Sequence, residues 1–412
     1  MSIIKPFKAL RPQAQFAKQV ASRPYDVLSS AEAKIEAQGN PHSFLHITKS
    51  EIDLPDNTDP HSKEVYERAK ENLDAFLKRE ILFNENKDCY YLYRLQMNGR
   101  SQTGLVCISS LDDYAKGIIK KHEFTRPEKE LDRIRHIQTT GAQTGNVFLA
   151  YRNVKAIDDL FEKITAVKSP VYDFTADDGI QHTIWIVNDS ENIEKITALF
   201  SNSVPCTYIA DGHHRAASAA KVFEETGTNG QNGAGYFLTT LFPSDQLEII
   251  DYNRIVKSLN GLTEKSFLEK VREKFSVIEK EKAVKPDALH QFGMYLNGKW
   301  YLLEALPGTF ANDPKSILDV SILQNNILTP LLGIDDPRTN KNIDFVGGIR
   351  GLSELEKRVD NGEMVVAFSL YPVSLDQLFS IADHHDVMPP KSTWFEPKLR
   401  DGLLTHLINE HQ

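Results

Sequence analysis

The densest group of chemically capable side chains in this sequence is the run Asp211-Gly212-His213-His214-Arg215. A carboxylate, two imidazoles and a guanidinium in succession can hold an anion and can also handle a proton or a metal ion. The glycine lets the backbone turn sharply or lie close to a ligand. The residue types therefore predict phosphate binding combined with proton or metal chemistry. The alternative is an ordinary helix N-terminus whose histidines are solvated or structural.

The residues on either side indicate how this run is positioned. An apolar stretch, 208–210, ends at Asp211, and an alanine-rich stretch of strong helix formers, 216–220, starts a few residues later. This pattern predicts a strand, a tight turn and a helix, with Asp211 near the N-cap. The three residues after Gly212 would then lie in the first helical turn, where unpaired N–H groups and the positive end of the helix dipole favour an anion.

Two other stretches offer partners for this turn. Residues 23–26 (Arg-Pro-Tyr-Asp) form a rigid turn, and its Asp26 is the leading candidate for an acid–base or metal-binding partner, the alternative being a turn with a packed tyrosine. A densely charged stretch contains His122, Glu123 and Arg126 just before a predicted helix. These three side chains either point into a polar cleft or belong to a solvated, salt-bridged surface.

A third candidate lies near the C-terminal end of the sequence. The segment 388–394 is stiffened by two prolines and presents Lys391 and Ser392, a cation and a hydroxyl that suit an anion. We expect this loop to reach the Asp211–Arg215 turn, so that Lys391 and Ser392 help to bind the phosphates.

The hydrophobic pattern predicts a mixed α+β fold with much antiparallel pairing. Thr125 and Glu128 fit a capping box, with Pro127 at a position that the start of a helix tolerates. A glycine- and asparagine-rich loop is predicted at 227–235. Three β-hairpins are predicted around the turn residues Asn98-Gly99, Asp177-Asp178-Gly179 and Asn297-Gly298.

Composition narrows the functional class. The 412 residues are 41% hydrophobic and 25% charged, as in ordinary globular proteins, and the formal net charge of −9 gives no general attraction to nucleic acid or to an anionic membrane. No stretch approaches 18 apolar residues and no secretory leader is recognisable, so we expect a cytoplasmic protein that spans no membrane. The three cysteines show no Cys-x-x-Cys spacing and are interpreted as buried thiols of a reducing compartment: Cys89, Cys107 and Cys206.

The Asp211–Arg215 turn and the helix after it resemble the signature of the ParB/sulfiredoxin-like superfamily, which includes the free-serine kinases. In sulfiredoxins the turn carries a cysteine where this sequence has His213, so sulfiredoxin chemistry is not implied. Over nearly its whole length the chain resembles the domain-of-unknown-function family 1015. The segments that carry this resemblance are 6–12, 23–27, 40–46, 121–130 and 388–395.

The resemblance implies a fold and a set of ligands. It implies a ParB/sulfiredoxin-like lobe with β-hairpin insertions. From the pattern of elements along the chain we place this lobe at residues 1–258, and a second α+β lobe, which closes the cleft, at 259–412. ATP or ADP with Mg²⁺ would be the cofactors. The nucleotide-binding groups would be Gly212, His213, His214, Arg215, His122, Arg126, Lys391 and Ser392, and the catalytic candidates would be Asp211, His213, His214, Asp26 and Glu123.

Two classes of function follow. The first is a nucleotide-dependent enzyme, by resemblance a phosphotransferase that acts on a hydroxylated metabolite such as serine. The second is a nucleotide-binding regulatory protein without turnover. The sequence lacks the Walker A, dinucleotide-binding, zincin and nucleophile-elbow motifs, so the enzyme classes that depend on them lose their main support. No binding to nucleic acid is expected, and the acceptor, the donor nucleotide and the oligomeric state stay open.

Overall fold

A computed structural model of the chain describes residues 1–226 and 235–408. The strands, in chain order, are β1 (Ile4–Lys5), β2 (Leu10–Pro12), β3 (Leu82–Asn84), β4 (Tyr90–Met97), β5 (Arg100–Ser110), β6 (Ile119–Lys120), β7 (Ala142–Gln143), β8 (Val147–Tyr151), β9 (Tyr172–Thr175), β10 (Gln181–Val187), β11 (Thr207–Asp211), β12 (Tyr236–Pro243), β13 (Ile249–Ile250), β14 (Tyr252–Val256), β15 (Phe275–Lys280), β16 (Gln291–Leu296), β17 (Lys299–Ala305), β18 (Ile343–Gly347), β19 (Val366–Leu370), β20 (Trp394–Phe395) and β21 (His406–Leu407).

The α-helices lie between these strands throughout the chain, which confirms the mixed α+β class. They are α1 (Ala17–Val20), α2 (Ser30–Glu36), α3 (Leu45–Thr48), α4 (Lys63–Lys78), α5 (Leu111–Ala115), α6 (Pro127–Thr140), α7 (Lys155–Val167), α8 (Ser190–Ser203), α9 (His213–Thr226), α10 (Glu264–Val271), α11 (Asp319–Leu323), α12 (Leu352–Asp360) and α13 (Leu375–Asp383). Almost all of the loop predicted at 227–235 lies outside the described residues.

The chain divides into two units that differ from the expected lobes 1–258 and 259–412. One unit comprises Met1–Leu247 and Pro397–Gln412, and the other comprises Glu248–Glu396. The division precedes β14 because that strand pairs with β18 and β19 in the sheet of the second unit. The C-terminal segment belongs to the first unit because β21 pairs with β7 and Thr405 bridges to Leu10.

A mixed sheet forms the centre of the first unit. Its strand order is β6-β11-β8-β12-β5-β4-β10-β9, and β1 pairs with the far end of β5. β11 runs parallel to β6 and antiparallel to β8, while β12 runs parallel to β8. Apolar side chains of the sheet and of the helices after β8, β10 and β11 share one core, which includes Leu149, Ile209, Ala216 and Leu241. This packing fixes the end of β11 and the start of α9.

The predicted hairpins are confirmed. β4 pairs with β5, β9 with β10 and β16 with β17, each around the expected turn residues. Asn98 and Gly99 have φ angles of +52° and +78°, and Asn297 and Gly298 have +48° and +75°. Positive φ at both central residues is the geometry that Asn-Gly supplies in a two-residue hairpin turn.

The predicted start of α6 is right in one respect and wrong in another. Pro127 occupies the beginning of the helix, as expected, and Gly141 ends it with a φ of +68°. The capping box of Thr125 and Glu128 is wrong, because Arg126 is the N-cap residue and makes no side-chain cap. The Thr125 side chain bonds to Glu130 instead.

The second unit is built on an antiparallel sheet with the order β15-β17-β16-β19-β14-β18. Its core joins this sheet to α12 through buried side chains that include Ile255, Trp300, Leu355 and Ala367. β13 and β20, at the two ends of the unit, pair with each other and close it.

Two expectations from composition concern the cysteines and membrane-spanning helices. Cys89 and Cys107 are buried and Cys206 is half-buried, and all three are free thiols. No helix in residues 1–226 and 235–408 is both long enough and apolar enough for a membrane crossing.

Candidate functional site

The chemically rich run lies between a strand and a helix, as the sequence predicts. β11 ends at Asp211, α9 follows, and Gly212 between them has a φ of +95°. The Gly212 carbonyl accepts the N–H of Ala216 at 3.0 Å, so Gly212 rather than Asp211 is the N-cap residue. A Cβ on Gly212 would lie 3.3 Å from Arg215 Nη1 and 3.4 Å from Val147 Cα. Both the backbone conformation and the space therefore favour glycine.

His213 is buried against His122. The two rings meet edge to face with their centroids 4.5 Å apart. The backbone N–H of His122 donates to His213 Nε2 at 3.4 Å, which assigns the ring proton of His213 to Nδ1, 4.0 Å from Glu123 Oε2. Burial lowers the pKa of His122 to about 4, and burial next to His122 lowers the pKa of His213 well below its ordinary value. Both imidazoles are therefore neutral at pH 7.

His122 has one ring nitrogen without a partner. Its ring bonds to the backbone of Ile209, while its Nδ1 is buried and has no hydrogen-bond partner within the described residues. A buried polar atom that lacks a partner costs free energy, and a bound hydroxyl group or water molecule would satisfy it.

His214 holds the same loop from the other side. Its Nε2 accepts the backbone N–H of Arg126 at 3.0 Å. Burial and the charge of Lys129 lower the pKa of His214 to about 4. His213 and His214 together therefore attach segment 122–126 to the first turn of α9 through their Nε2 atoms. The structure thus brings His122, Glu123 and the backbone of Arg126 to this turn.

Arg215 is buried inside a cluster of acceptors. Its Nη2 donates to Asp26 Oδ2 at 2.7 Å and lies 3.9 Å from Asp211 Oδ2, and its Nη1 donates to the Asn146 carbonyl. Burial alone would lower the pKa of Arg215, but Asp26 and Asp211 raise it well above its ordinary value. Arg215 therefore fixes the two carboxylates that the sequence proposes for acid–base or metal chemistry.

Asp211 has a second cation that the sequence did not suggest. Lys398, from the C-terminal segment, donates to Asp211 Oδ2 at 3.2 Å. Burial opposes ionisation of this carboxyl, but the charges of Lys398 and Arg215 hold the pKa of Asp211 well below its ordinary value. Asp211 is thus a carboxylate at neutral pH, balanced by two cations.

Asp401 is another group that the sequence did not suggest. It is 2% exposed, accepts a hydrogen bond from the backbone of Tyr25, and has an Oδ2 without a partner in the described part of the chain. Burial, together with the negative charge of Asp26, raises the pKa of Asp401 to about 7. Its backbone exchanges two hydrogen bonds with Ser22, at 2.9 and 3.1 Å, which attaches the segment beside the turn that carries Asp26.

Arg400 anchors this segment to a hairpin. Its Nη2 pairs with Asp178 in the β9–β10 turn, and its Nε donates to His182 Nε2 at 3.3 Å. His182 Nδ1 lies 2.7 Å from the hydroxyl of Tyr93. Burial and the charge of Arg400 lower the pKa of His182 to about 3, so this histidine is neutral. The one feature of the sequence that could have indicated the role of Arg400 is a cluster of charged residues before Gly402, but such clusters are usually solvated.

Lys391 and Ser392 belong to the second unit. The Lys391 Nζ lies 5.5 Å from the centroid of the Tyr252 ring, and the Ser392 hydroxyl donates to the Pro389 carbonyl at 2.5 Å. That this loop reaches the Asp211–Arg215 turn stays a prediction.

The space around Arg215 limits what can bind there. A cavity bordered by Arg215, Tyr25 and Gly145 has a volume of about 20 Å³, which holds one or two water molecules and no nucleotide. In residues 1–226 and 235–408, no group of three or more His, Cys, Asp or Glu side chains is arranged to hold a metal ion.

Comparison with known proteins gives distant structural matches. No curated protein matches the chain. A free serine kinase in complex with AMP is 13% identical with a TM-score of 0.37, covering 74% of this chain and 91% of that chain. A conserved hypothetical protein from Pyrococcus furiosus is 15% identical with a TM-score of 0.36, covering 73% and 94%. SbnI with a C-terminal truncation, from Staphylococcus aureus, is 10% identical with a TM-score of 0.35, covering 74% and 90%.

The sequence also matches a protein family. The family is described as a protein of unknown function, DUF1015, and the match covers residues 4–321, which is more than half of the chain. The resemblance to this family is thereby confirmed, whereas the relation to the ParB/sulfiredoxin-like superfamily stays a prediction. The chain belongs to the DUF1015 family.

Proposed function

We propose that the first turn of α9 binds a phosphate group of a nucleotide, and that the protein transfers a phosphoryl group to the hydroxyl of a small metabolite such as serine. The observation that carries this proposal is a convergence of chemically capable groups from four separate stretches of chain. Asp26, His122, the Asp211–Arg215 run and Lys398 meet at one helix N-terminus. An ordinary helix cap needs one side chain or none.

The turn offers donors suited to an anion. The first N–H groups of a helix have no partner within the helix, and the positive end of the dipole of α9 adds to them. Gly212 adds no side chain of its own at this turn, where a Cβ would already meet Arg215 Nη1 at 3.3 Å. His214 uses its Nε2 as an acceptor, so its Nδ1 carries the proton and can also donate.

The contacts of Arg215 suit a second role, in addition to the phosphate contact that the sequence predicts. A direct contact between Arg215 and a phosphate stays a prediction, and it would compete with Asp26 and Asp211 for the same guanidinium. The role that fits its present partners is to hold both carboxylates ionised and in place. Breaking a buried ion pair of this kind costs about 3–5 kcal/mol, so an Arg215 variant would report on the scaffold as well as on binding.

Oxygen ligands for Mg²⁺ are present but engaged. Asp26 and Asp211 are of the type that Mg²⁺ takes beside phosphate oxygens, where it would supply positive charge to the transferring group. Both carboxylates already face cations. In the transfer, the oxygen of the acceptor hydroxyl forms the new bond to phosphorus, and the bond from that phosphorus to the bridging oxygen of the nucleotide breaks. The nucleotide then leaves with one phosphate group fewer. Asp211 or Asp26 would take the hydroxyl proton.

Calorimetric titration with ADP and ATP tests the binding. AMP is the ligand of the matched free serine kinase, and this makes adenine nucleotides the first choice. Gly212→Ala should weaken binding by about one to two decades, equivalent to roughly 1.5–3 kcal/mol, because the added methyl group displaces the donors of the turn. Gly99→Ala is the matched control, since Gly99 also has a positive φ of +78° but lies in a hairpin turn. Equal affinities for the wild type and Gly212→Ala would contradict the proposal.

A second pair of variants tests the role of the Lys398 ammonium group in nucleotide binding. Lys398→Met should weaken nucleotide binding, because it removes a positive charge beside the turn. Lys195→Met is the control, since Lys195 pairs with Glu191 on the exposed surface of α8. A Lys398→Met variant with wild-type affinity would exclude this side chain from the site.

Product analysis separates the two classes of function. Incubation with ATP or ADP and a panel of hydroxylated amino acids, followed by phosphorus NMR, should show a new phosphate ester. Binding without any ester would favour the regulatory alternative. No binding of either nucleotide would overturn both.

A further inference from the structure

Arg254, on β14 of the second unit, is a buried cation that has no carboxylate partner among the described residues. Only 3% of this residue is exposed to solvent. Nη1 donates to the Tyr252 carbonyl and Nη2 to the Pro390 carbonyl at 3.3 Å. No ion pair of Arg254 occurs within residues 1–226 and 235–408, and burial lowers the pKa of Arg254 to about 10.

The other arginines of similar burial are compensated. Each pairs with a carboxylate: Arg11 with Glu85, Arg215 with Asp26 and Arg400 with Asp178. An unpaired buried charge is costly, and carbonyl dipoles replace a counter-ion only in part. Arg254 is therefore the place in the second unit where an added negative charge would be most favourable.

A second cation, Lys391, follows the residue whose carbonyl binds Arg254. Pro390, whose carbonyl binds Arg254, precedes Lys391, and the ammonium group of Lys391 lies 5.5 Å from the centroid of the Tyr252 ring. Lys391 is exposed and has a φ of +58°, a backbone conformation that non-glycine residues rarely adopt. The guanidinium and the ammonium thus share Tyr252 as a neighbour, one through its carbonyl and the other through its ring.

Aromatic rings border these two cations. The rings of Phe345 and Trp394 meet the ring of Tyr252 edge to face, at centroid distances of 5.9 and 5.1 Å. The guanidinium carbon of Arg254 lies 5.4 Å from the centroid of Phe345. A Cβ at Gly347 would lie 3.1 Å from the indole of Trp394, so the indole packs directly on the backbone of β18. Low-polarity walls strengthen any charge interaction between them.

The acidic side chains on the neighbouring segments are occupied elsewhere. Asp251 accepts a hydrogen bond from the Asn253 side chain at 2.6 Å, and Glu396 accepts one from the indole nitrogen of Trp394 at 2.7 Å. Neither is paired with Arg254. A bound anion would supply the negative charge that Arg254 lacks among the described residues.

We propose that Arg254 and Lys391 form an anion-binding site in the second unit that takes a phosphate group, either free inorganic phosphate or the phosphate of a small monoester. One of the two cations is buried and the other is exposed. Together they suit an anion with two negative charges near neutral pH better than they suit a single carboxylate. The planar guanidinium also presents a fork of donors to phosphate oxygens. This site does not depend on the function proposed for the first turn of α9.

Titration of the full-length protein with inorganic phosphate, at constant ionic strength and pH 7.5, tests the proposal. Calorimetry and thermal unfolding should show saturable binding that raises Tm. Arg254→Met should weaken phosphate binding at least about tenfold and abolish the rise in Tm. Without phosphate, Arg254→Met should be as stable as the wild type or more stable, because the substitution removes an unpaired buried charge. A purely structural Arg254 would give a lower Tm in both buffers and an unchanged phosphate response, which would overturn the site.

Three controls sharpen this test. Arg272→Met removes an exposed arginine of the same unit and should respond to phosphate as the wild type does. Gly212→Ala should also keep this response, which separates the site from the turn of α9. Lys391→Met should weaken binding while leaving stability unchanged. Glycerol phosphate in place of inorganic phosphate distinguishes the two sources, and acetate binding as tightly as phosphate would contradict the choice of a dianion.

Discussion

At the level of single residues, His213 and His214 each accept a hydrogen bond at one ring nitrogen and carry a proton on the other. Each accepts a backbone N–H from segment 122–126 at Nε2, so each keeps its proton on Nδ1. Their lowered pKa values keep them neutral at pH 7. The positive charge at the turn therefore comes from Arg215 and Lys398 and not from these imidazoles.

Two aspartates of this cluster, Asp211 and Asp401, should affect stability with opposite dependence on pH. Asp211 has a lowered pKa, so the stability that it contributes is complete above about pH 4 and is lost in acid. The pKa of Asp401 is raised to about 7, so the folded state holds its proton longer than the unfolded state does, and stability falls as the pH rises from about 4 to 7. The slope is at most about 1.4 kcal/mol per pH unit.

Urea unfolding of Asp211→Asn and Asp401→Asn from pH 4 to pH 8 measures this contrast. Asp401→Asn should raise the free energy of unfolding at pH 8 and approach the wild type near pH 4. Asp211→Asn should lower it at pH 8 and approach the wild type only in stronger acid. Parallel curves for the two variants would show that the environments of the two carboxyls are wrongly assigned.

At the scale of elements, the C-terminal segment positions part of the candidate site. It pairs through β21 with β7, bridges to Leu10 and Ser22, and delivers Lys398 and Asp401 to the start of α9. Arg400 ties the same segment to the β9–β10 hairpin through Asp178 and His182. The site thus depends on an element almost 190 residues from α9 in sequence.

Arg400→Met should loosen this segment without unfolding the rest of the first unit. Loss of Arg400 leaves Asp178 without its cation and His182 without a donor, so amides of 399–408 should exchange with deuterium faster while those of α9 keep most of their protection. Hydrogen-exchange mass spectrometry measures this directly. Arg338→Met is the control, because Arg338 pairs with Asp336 on an exposed surface. Unchanged exchange in 399–408 would show that Arg400 does not hold the segment.

At the scale of the whole molecule, the division into units gives a prediction about folding. The second unit is one continuous segment, Glu248–Glu396, whose ends pair as β13 and β20. A fragment of residues 248–396 should therefore fold alone with a cooperative thermal transition by circular dichroism. A fragment of residues 259–396 lacks β14, which lies between β18 and β19 in the sheet, and should not fold. Equal folding of both fragments would contradict this division.

The overall charge gives a negative prediction. With a formal net charge of −9, the protein should not bind duplex DNA appreciably at physiological salt. Fluorescence anisotropy with a labelled random duplex checks this. Micromolar or tighter binding that weakens steeply with added salt would contradict it.

Short-range sequence patterns predicted much of the fold, but they could not predict which distant residues pair with each other. The Asn-Gly turns, the strand before Gly212 and the helix after it follow from residue types at short spacing. The pairing of Arg215 with Asp26 joins residues 189 positions apart. The sequence indicated Asp26 as a partner for the turn but not its ion pair with Arg215. The return of Lys398 and Asp401 to the first unit was equally hidden, because the bridges that fix it are backbone hydrogen bonds. Arg254 was missed because burial without a counter-ion leaves no mark in sequence.

The first turn of α9 is proposed to bind the phosphate of a nucleotide. The most direct measurement is a crystal structure of the full-length protein with ADP. We predict that an oxygen of the terminal phosphate lies within hydrogen-bond distance of the backbone N–H groups of His213 and His214, with Gly212 against the phosphate. ADP bound elsewhere while this turn holds only water, or no ADP at saturating concentration, would contradict the account.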